Sequence, residues 1–159
     1  GCKNDRYRYG NLYRANLADD KDIATQMQLF TEDATVNTYF GDTLFASMRG
    51  REEIGKVFSG FIANFSALYH MNGQMIADIN GDHASSTHYC LVVLVSEDQG
   101  KEFKNFNGVI YKDEYIRRDG QWLITNREAR FAMWLCFLNR TTNLLFMSCI
   151  HENNRNMRH

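Results

Sequence analysis

Residues 68–100 read LYHMNGQMIADINGDHASSTHYCLVVLVSEDQG and hold two strand-like runs around a turn. The runs are Leu68–Ile79 and Ser85–Ser96, and Asn80-Gly81-Asp82 between them is a typical hairpin signal. Strands joined by a short turn pair in antiparallel fashion. This stretch therefore predicts a long β-hairpin, and the rest of the fold is interpreted outward from it.

The same pattern continues toward the C-terminus. Strand-like runs at Phe103–Arg117 and Trp122–Trp134 follow turns at residues 97–100 and 118–120, which predicts a four-stranded antiparallel meander. The run Tyr89–Val95 is apolar at both strand parities, so both faces of the sheet should be covered there. We expect helices and a pocket on one face and a second copy of the chain, in a homodimer, on the other.

Upstream of residue 68 the periodicity is mainly helical. Residues 7–18 predict a first helix, and the acidic turn at residues 19–22 carries an Asp that can cap a second. Ile23, Met27 and Phe30 form the apolar stripe of that second helix, which we expect to stop near residues 31–33.

Two short strands and a third helix complete this half of the chain. The strands are expected at Thr35–Phe40 and Leu44–Met48, and the helix opens at Arg51 with a broad apolar face. Helices gathered first and strands gathered last predict an α+β fold: three N-terminal helices packed on a curved, mainly antiparallel sheet that encloses a pocket.

Composition narrows the class of function. The chain has 159 residues, 44% of them hydrophobic, and a formal net charge of -1, which suits one domain and gives little basic surface for nucleic acid. The apolar stretch 131–150 is interrupted at residues 139–143, so no membrane span is expected. The four cysteines have no zinc-site spacing and favour reduced thiols in the cytoplasm. Gly1-Cys2 fits either a lipoprotein signal boundary or a trimmed chain end.

Five short motifs, in order, resemble the SnoaL-like domains of the NTF2-like superfamily over roughly residues 7–134. They are LADDKD at 17–22, LFTEDA at 29–34, GREEI at 50–54, YKDEY at 111–115 and RDGQWLI at 118–124, with Arg127 after the last. The resemblance implies an NTF2-like cone. It predicts a domain at 1–134 and a C-terminal extension at 135–159 that serves as a pocket lid or a dimer arm.

Within that superfamily the chain is most similar to the scytalone dehydratase and bile-acid 7α-dehydratase group. The resemblance implies a buried pocket aspartate at Asp19, a pocket tyrosine at Tyr39 and the histidine that handles the substrate proton at His70. His88 matches a second histidine of scytalone dehydratase; the bile-acid enzyme has a tryptophan there.

One position departs from that pattern. Ala18 stands where scytalone dehydratase has a tyrosine, and Tyr13, one helical turn away, could supply a hydroxyl in its place.

These residue types suit the elimination of water next to a carbonyl. The reaction needs a base for the α-proton, a donor for the enolate oxygen and an acid for the leaving hydroxyl. We assign His70 as base and acid, His88 and Asp19 as its supporting relay, and Tyr39 as carbonyl donor. The expected activity is that of a lyase or isomerase without cofactor or metal, acting on a small hydrophobic cyclic substrate. The expected substrate-binding residues are Tyr13, Phe58, Phe61, Tyr111 and Phe131.

Each candidate also has a purely structural interpretation. His70 alternates with polar residues as on a solvated strand face, Asp19 fits a helix cap, and Tyr39 fits a packed strand aromatic. His88 is equally consistent with a hydrogen-bonded core histidine.

Three other functions stay open at this stage. Two histidines and Asp19 suit a non-haem iron site. A non-catalytic binding or assembly module similar to the β subunits of ring-hydroxylating dioxygenases would need no histidine pair. Ketosteroid-isomerase-type chemistry would take Asp78 or Asp113 as its base.

Overall fold

The computed structural model describes residues 17–138 and 146–147 of the chain. Residues 17–19 are helical and precede two helices and seven strands. In chain order these are α1 (Ile23–Met27), β1 (Phe30–Phe40), β2 (Thr43–Arg49), α2 (Arg51–Ile62), β3 (Ala67–Asn80), β4 (His83–Asp98), β5 (Lys101–Arg118), β6 (Gln121–Leu138) and β7 (Phe146–Met147).

The strands form one curved, open sheet in the order β2-β1-β6-β5-β4-β3, and β7 pairs with β6. Only the pairing of β1 with β6 is parallel; every other described pair is antiparallel. The predicted α+β class and the meander of four long strands are confirmed. Most of the predicted first helix lies outside the described residues.

The hairpin turns form where the sequence predicts them. Gln99 and Gly100 both have positive φ, at 49° and 73°, and Asp119 and Gly120 repeat this at 51° and 77°. Two consecutive residues with positive φ make the turn whose twist matches antiparallel strands. Glycine at the second position adopts this conformation without the steric cost that a side chain would bring.

The predicted second helix, which is α1 in the structure, is shorter than predicted, and β1 starts earlier than predicted. Phe30 has the helical spacing of Ile23 and Met27, yet it lies opposite Ile124 of β6 and is almost fully buried. The Ile124 N–H donates to the Leu29 carbonyl at 2.8 Å, which fixes the chain as a strand from this point. Pairing with β6 therefore overrides the helical periodicity.

Two clusters of side chains form the core on the face that the helices cover. The first lies under α1 and the start of α2 and comprises Met27, Phe30, Ala34, Val36, Met48, Ile54, Tyr115 and Ile124. The second comprises Leu68, Cys90, Val92, Leu94, Val109 and Ala129, with Ile62 and Phe65 packed against it. Beside the first cluster, Gly55 of α2 lets this helix pack closely against α1, since a Cβ there would lie 3.1 Å from Met27 Cγ.

We call these two sides of the sheet the inner face, under the helices, and the outer face. Tyr69, Met71, Tyr89, Met133 and Leu135 are exposed apolar residues of the outer face. None of the helices within residues 17–138 is long and apolar enough to cross a membrane. Strand β6 continues past residue 134, where the sequence predicted the domain to end. The role of the extension 135–159 as a pocket lid or a dimer arm stays a prediction.

Candidate active site

Asp19 and His70 are in direct contact although they are 51 positions apart in the chain. Asp19 ends the helical stretch 17–19, and His70 lies on β3, an edge strand of the described sheet. The Asp19 Oδ1 lies 2.6 Å from His70 Nδ1, and Oδ2 accepts the His70 backbone N–H at 3.2 Å. The Asp19 carboxylate thus accepts the backbone N–H that His70 directs away from the sheet, where another strand would otherwise pair. It also orients the His70 imidazole.

This geometry determines which ring nitrogen can react. A carboxylate at Nδ1 accepts the proton of that nitrogen, so Nε2 of the neutral imidazole carries the free lone pair. The two side chains are 16% and 21% exposed, so they are shielded but reachable. The arrangement leaves one imidazole nitrogen free to accept a proton at a partly shielded position.

Asp19 is not the helix cap. Asp22 caps α1, because its Oδ1 accepts the Thr25 backbone N–H at 3.0 Å. Hydrogen bonds from the Thr25 side chain and from its backbone N–H lower the pKa of Asp22. Two aspartates of the acidic turn therefore have different roles: Asp22 caps α1, and Asp19 binds His70.

His88 lies on the same face of the sheet, farther along. His70 is opposite Val92 of β4, whereas His88 is opposite Met75. Four residues of strand correspond to about 13 Å, so the register separates the two imidazoles along the inner face. His88 is only 4% exposed, and its ring stacks on Tyr111 with centroids 5.0 Å apart. Its part in a relay stays a prediction.

Tyr39 does not join these residues. It lies opposite Arg130 in the β1–β6 pairing, and the guanidinium carbon sits 4.6 Å from the centre of the tyrosine ring. Its neighbour Phe40 stacks on Phe131, at 5.0 Å, on the inner face. Since successive strand side chains alternate between faces, Tyr39 projects from the outer face. The assignment of Tyr39 as carbonyl donor does not fit this placement, and the packed-aromatic interpretation does.

The expected substrate-binding residues fall into different environments. Tyr111 and Phe131 pack against the second core cluster, on the inner face with His70. Phe58 is partly buried and instead packs against the first cluster, with its ring edge-on to Phe30 at 6.5 Å, so its role is structural packing. Phe61 is half exposed and packs on Phe65. Tyr13 lies outside the described residues.

A buried ion pair is the feature of this face that residue-by-residue interpretation missed. Arg127 donates from Nε and Nη2 to the two carboxylate oxygens of Asp113, at 2.8 and 2.6 Å. Tyr115 donates to the same carboxylate at 3.0 Å and also lies 3.0 Å from the Ser86 hydroxyl. The pairing of β5 with β6 places Asp113 opposite Arg127, but only because the register shifts by one residue between Glu114 and Tyr115. Equal spacing from the Asp119-Gly120 turn would have paired Asp113 with Asn126, so counting from the turn does not predict this ion pair.

The ion pair also weakens the ketosteroid-isomerase-type alternative, in which Asp113 or Asp78 would be the base. Both Asp113 oxygens are engaged, so this carboxylate is not a poised base, and the exposed Asp78 lies on the outer face. Burial alone would lower the pKa of Arg127, but the Asp113 carboxylate raises it well above the ordinary value. The Arg127 guanidinium lies 4.8 Å from the centre of the Tyr111 ring. Burial in turn raises the pKa of Tyr111, so its phenol stays protonated.

Burial also affects the thiol at the centre of this face. Cys90 is opposite Asn72 and buried, and burial raises its pKa to about 11. It packs as a small apolar residue, as the sequence predicted. Within the described part of the chain, no three His, Cys, Asp or Glu side chains are close enough to hold a metal ion.

A cavity of about 300 Å³ lies elsewhere, along β3 to β6, and its lining includes Asp78, Thr87 and Lys112. These side chains alternate with those of the inner face, so the cavity is on the outer side of the sheet. It is not the pocket expected around His70.

The fold is that of an NTF2-like protein. The SnoaL-like domain family matches residues 12–128, and the chain belongs to that family. Among curated proteins, none matches the sequence significantly.

Three solved structures from Novosphingobium aromaticivorans show the same fold. A candidate aromatic ring hydroxylase is 23% identical, with a TM-score of 0.68 and coverage of 92% of this chain and 96% of that one. A candidate scytalone dehydratase is 18% identical, with a TM-score of 0.65 and 89% of each chain covered. The β subunit of a candidate aromatic-ring-hydroxylating dioxygenase is 14% identical, with a TM-score of 0.65 and 77% and 84% covered. At these identities the likeness concerns the fold alone.

Proposed function

We propose that this SnoaL-like protein is a cofactor-free dehydratase or isomerase for a small hydrophobic cyclic substrate. The contact between Asp19 and His70 carries the proposal, because it leaves a free lone pair on one ring nitrogen at a shielded site. The similarity in fold to a candidate scytalone dehydratase supports it.

The proposed reaction uses His70 twice. Its Nε2 takes the proton from the carbon next to a carbonyl, and the C–H electron pair forms an enolate. The enolate re-forms the carbonyl, the adjacent C–O bond breaks with a new C=C bond, and His70 returns the proton to the departing hydroxyl as water. In an isomerase the proton returns to another carbon. Asp19 stabilises the transient imidazolium.

Tyr111 lies opposite His88 and one strand farther from His70, so its phenol is too far along the face to donate to an enolate oxygen beside His70. We propose Tyr111 as a substrate-binding residue only, and the role first given to Tyr39 has no proposed residue. Apolar neighbours such as Val92, Val109 and Phe131 suit a flat, uncharged ring system.

Asp19→Asn separates catalysis from folding. The amide oxygen can still accept the His70 backbone N–H, but the amide NH₂ would donate to Nδ1 and hold the proton on Nε2. We expect turnover to fall by about 10²–10⁴-fold with little change in melting temperature. The assay is the absorbance of the conjugated enone formed from a panel of cyclic β-hydroxy ketones. The matched control is Asp20→Asn at the adjacent, exposed position; an Asp19→Asn protein as active as this control would refute the assignment.

A second copy of the chain is the partner that we propose for the outer face. Exposed Tyr69, Met71 and Tyr89 form part of an apolar surface on neighbouring strands, and a surface of this kind is typical of an interface. The alternative function, an assembly module like a dioxygenase β subunit, would use such a surface for a different chain, and the similar fold of one β subunit favours considering it.

We also propose a cytoplasmic location, where the free thiols of Cys90 and Cys136 stay reduced.

Met71→Glu tests the homodimer. A buried, unpaired carboxylate at the centre of an interface costs enough to weaken association by about 10²-fold or more. We expect a dimeric wild type and a monomeric variant in sedimentation velocity at micromolar concentration. Val57→Glu, at an exposed apolar position of α2, is the control and should remain dimeric. A monomeric wild type, or a dimer that tolerates Met71→Glu, contradicts the proposal.

A further inference from the structure

The turn that carries Asp19 is fastened to the polypeptide just before β3. Lys21 donates from Nζ to the Phe65 carbonyl at 2.6 Å, a contact between positions 44 apart in the chain. Phe65 is in the short connection between α2 and β3, five residues before His70. One lysine therefore ties together the two segments that supply the two halves of the candidate site.

The receiving segment is itself firmly held. The Phe65 N–H donates to the Ile62 carbonyl at 3.2 Å, and the Ser66 N–H donates to the Val95 carbonyl at 2.8 Å. The Phe65 side chain packs on the second core cluster. Lys21 thus reaches from the turn to a fixed point of the sheet.

The charge of Lys21 suits its position. The last turn of α2 contains no basic residue, and the carbonyl ends of a helix favour a nearby cation. Lys21 also has a φ of 58°, a backbone conformation that only a few per cent of residues other than glycine adopt. Its N–H donates to the Ala18 carbonyl at 3.1 Å, so the unusual backbone and the long side chain belong to one compact turn.

We propose that Lys21 is a positioning residue for the Asp19–His70 pair. Resting on the proposed function, the inference is that Lys21 holds the Asp19 carboxylate at the distance where it accepts the Nδ1 proton. Without this link the turn depends on the contacts of Asp19 with His70 themselves, so the carboxylate can shift more and the ring divides between its two tautomers.

The test reads the imidazole directly, without a substrate. Long-range ¹H–¹⁵N spectra of the full chain at a pH where His70 is neutral report which ring nitrogen carries the proton. We compare wild type, Lys21→Met, Lys21→Arg, and Lys56→Met as the control at an exposed lysine of α2. Because an exposed charge contact is weak, we expect Lys21→Met to change the tautomer ratio of His70 by about two- to fivefold. Lys21→Arg should restore the wild-type ratio.

The outcomes distinguish this inference from the proposed function. A wild-type spectrum without the Nδ1–H tautomer would overturn the proposed Asp19–His70 pair itself. A normal wild-type spectrum that Lys21→Met leaves unchanged would overturn only the role of Lys21. An equal change in Lys56→Met would also overturn it, because the effect would then follow from loss of any surface charge. Thermal melts of all four proteins show whether each variant is folded when its spectrum is recorded.

Discussion

His70→Ala should abolish turnover while leaving the protein folded. Alanine keeps the backbone N–H that Asp19 Oδ2 accepts at 3.2 Å, so the anchor between the acidic turn and β3 survives. The imidazole is lost, and with it the base and acid of the proposed reaction. Removing such a group costs about 10²–10⁴ in rate, and the β-hydroxy ketone assay at saturating substrate measures the loss.

His83→Ala is the matched control for this prediction. His83 begins β4 at an exposed position, so its removal deletes one imidazole from the chain without touching the inner face. The control should retain wild-type turnover, and both variants should melt within a few degrees of the wild type. A His70→Ala protein that turns over substrate at the control's rate would end the enzyme proposal, although the fold assignment would stand.

The contrast between Asp19 and Tyr39 shows what a sequence can predict here. Asp19 and His70 were paired only through resemblance to a family, because neither periodicity nor spacing connects positions 51 apart. Tyr39 was assigned by the same resemblance, but its face depends on the register of β1 against β6. A shift of one residue reverses the face of every side chain in a strand. Local patterns do not reveal that register.

The strands and turns were easier to predict, since their causes are local. Alternating apolar residues and the Asp119-Gly120 turn carry their own signals, and β5 and β6 follow from them. Phe30 shows the limit of local pattern: it fits a helical stripe and is nevertheless recruited into β1 by Ile124. Long-range pairing of this kind overrides propensity when it buries a large side chain.

Asp113→Ala should have the largest effect on stability. The Asp113 side chain is fully buried and Arg127 is 12% exposed, so the variant leaves a guanidinium charge inside the sheet without its carboxylate. Breaking a buried pair in this way costs about 3–5 kcal/mol of unfolding free energy. At about 2–4 °C per kcal/mol for a chain of this size, the melting temperature should fall by about 6–20 °C. Urea unfolding followed by circular dichroism measures the free energy, and Glu114→Ala, one residue away on the exposed face, is the control.

The double variant Asp113→Leu with Arg127→Met decides why the pair is present. If the penalty of the single variant comes from an unpaired buried charge, removing both charges should recover much of the lost free energy. The recovery should be incomplete, since Tyr115 also donates to Asp113 and the Arg127 guanidinium lies over the Tyr111 ring. A double variant no more stable than Asp113→Ala would mean that the hydrogen-bond network, rather than charge compensation, holds β4, β5 and β6 together at this point. In that case the rigidity of the inner face on which His70 and Tyr111 stand would depend on Tyr115 and Ser86 as much as on the ions.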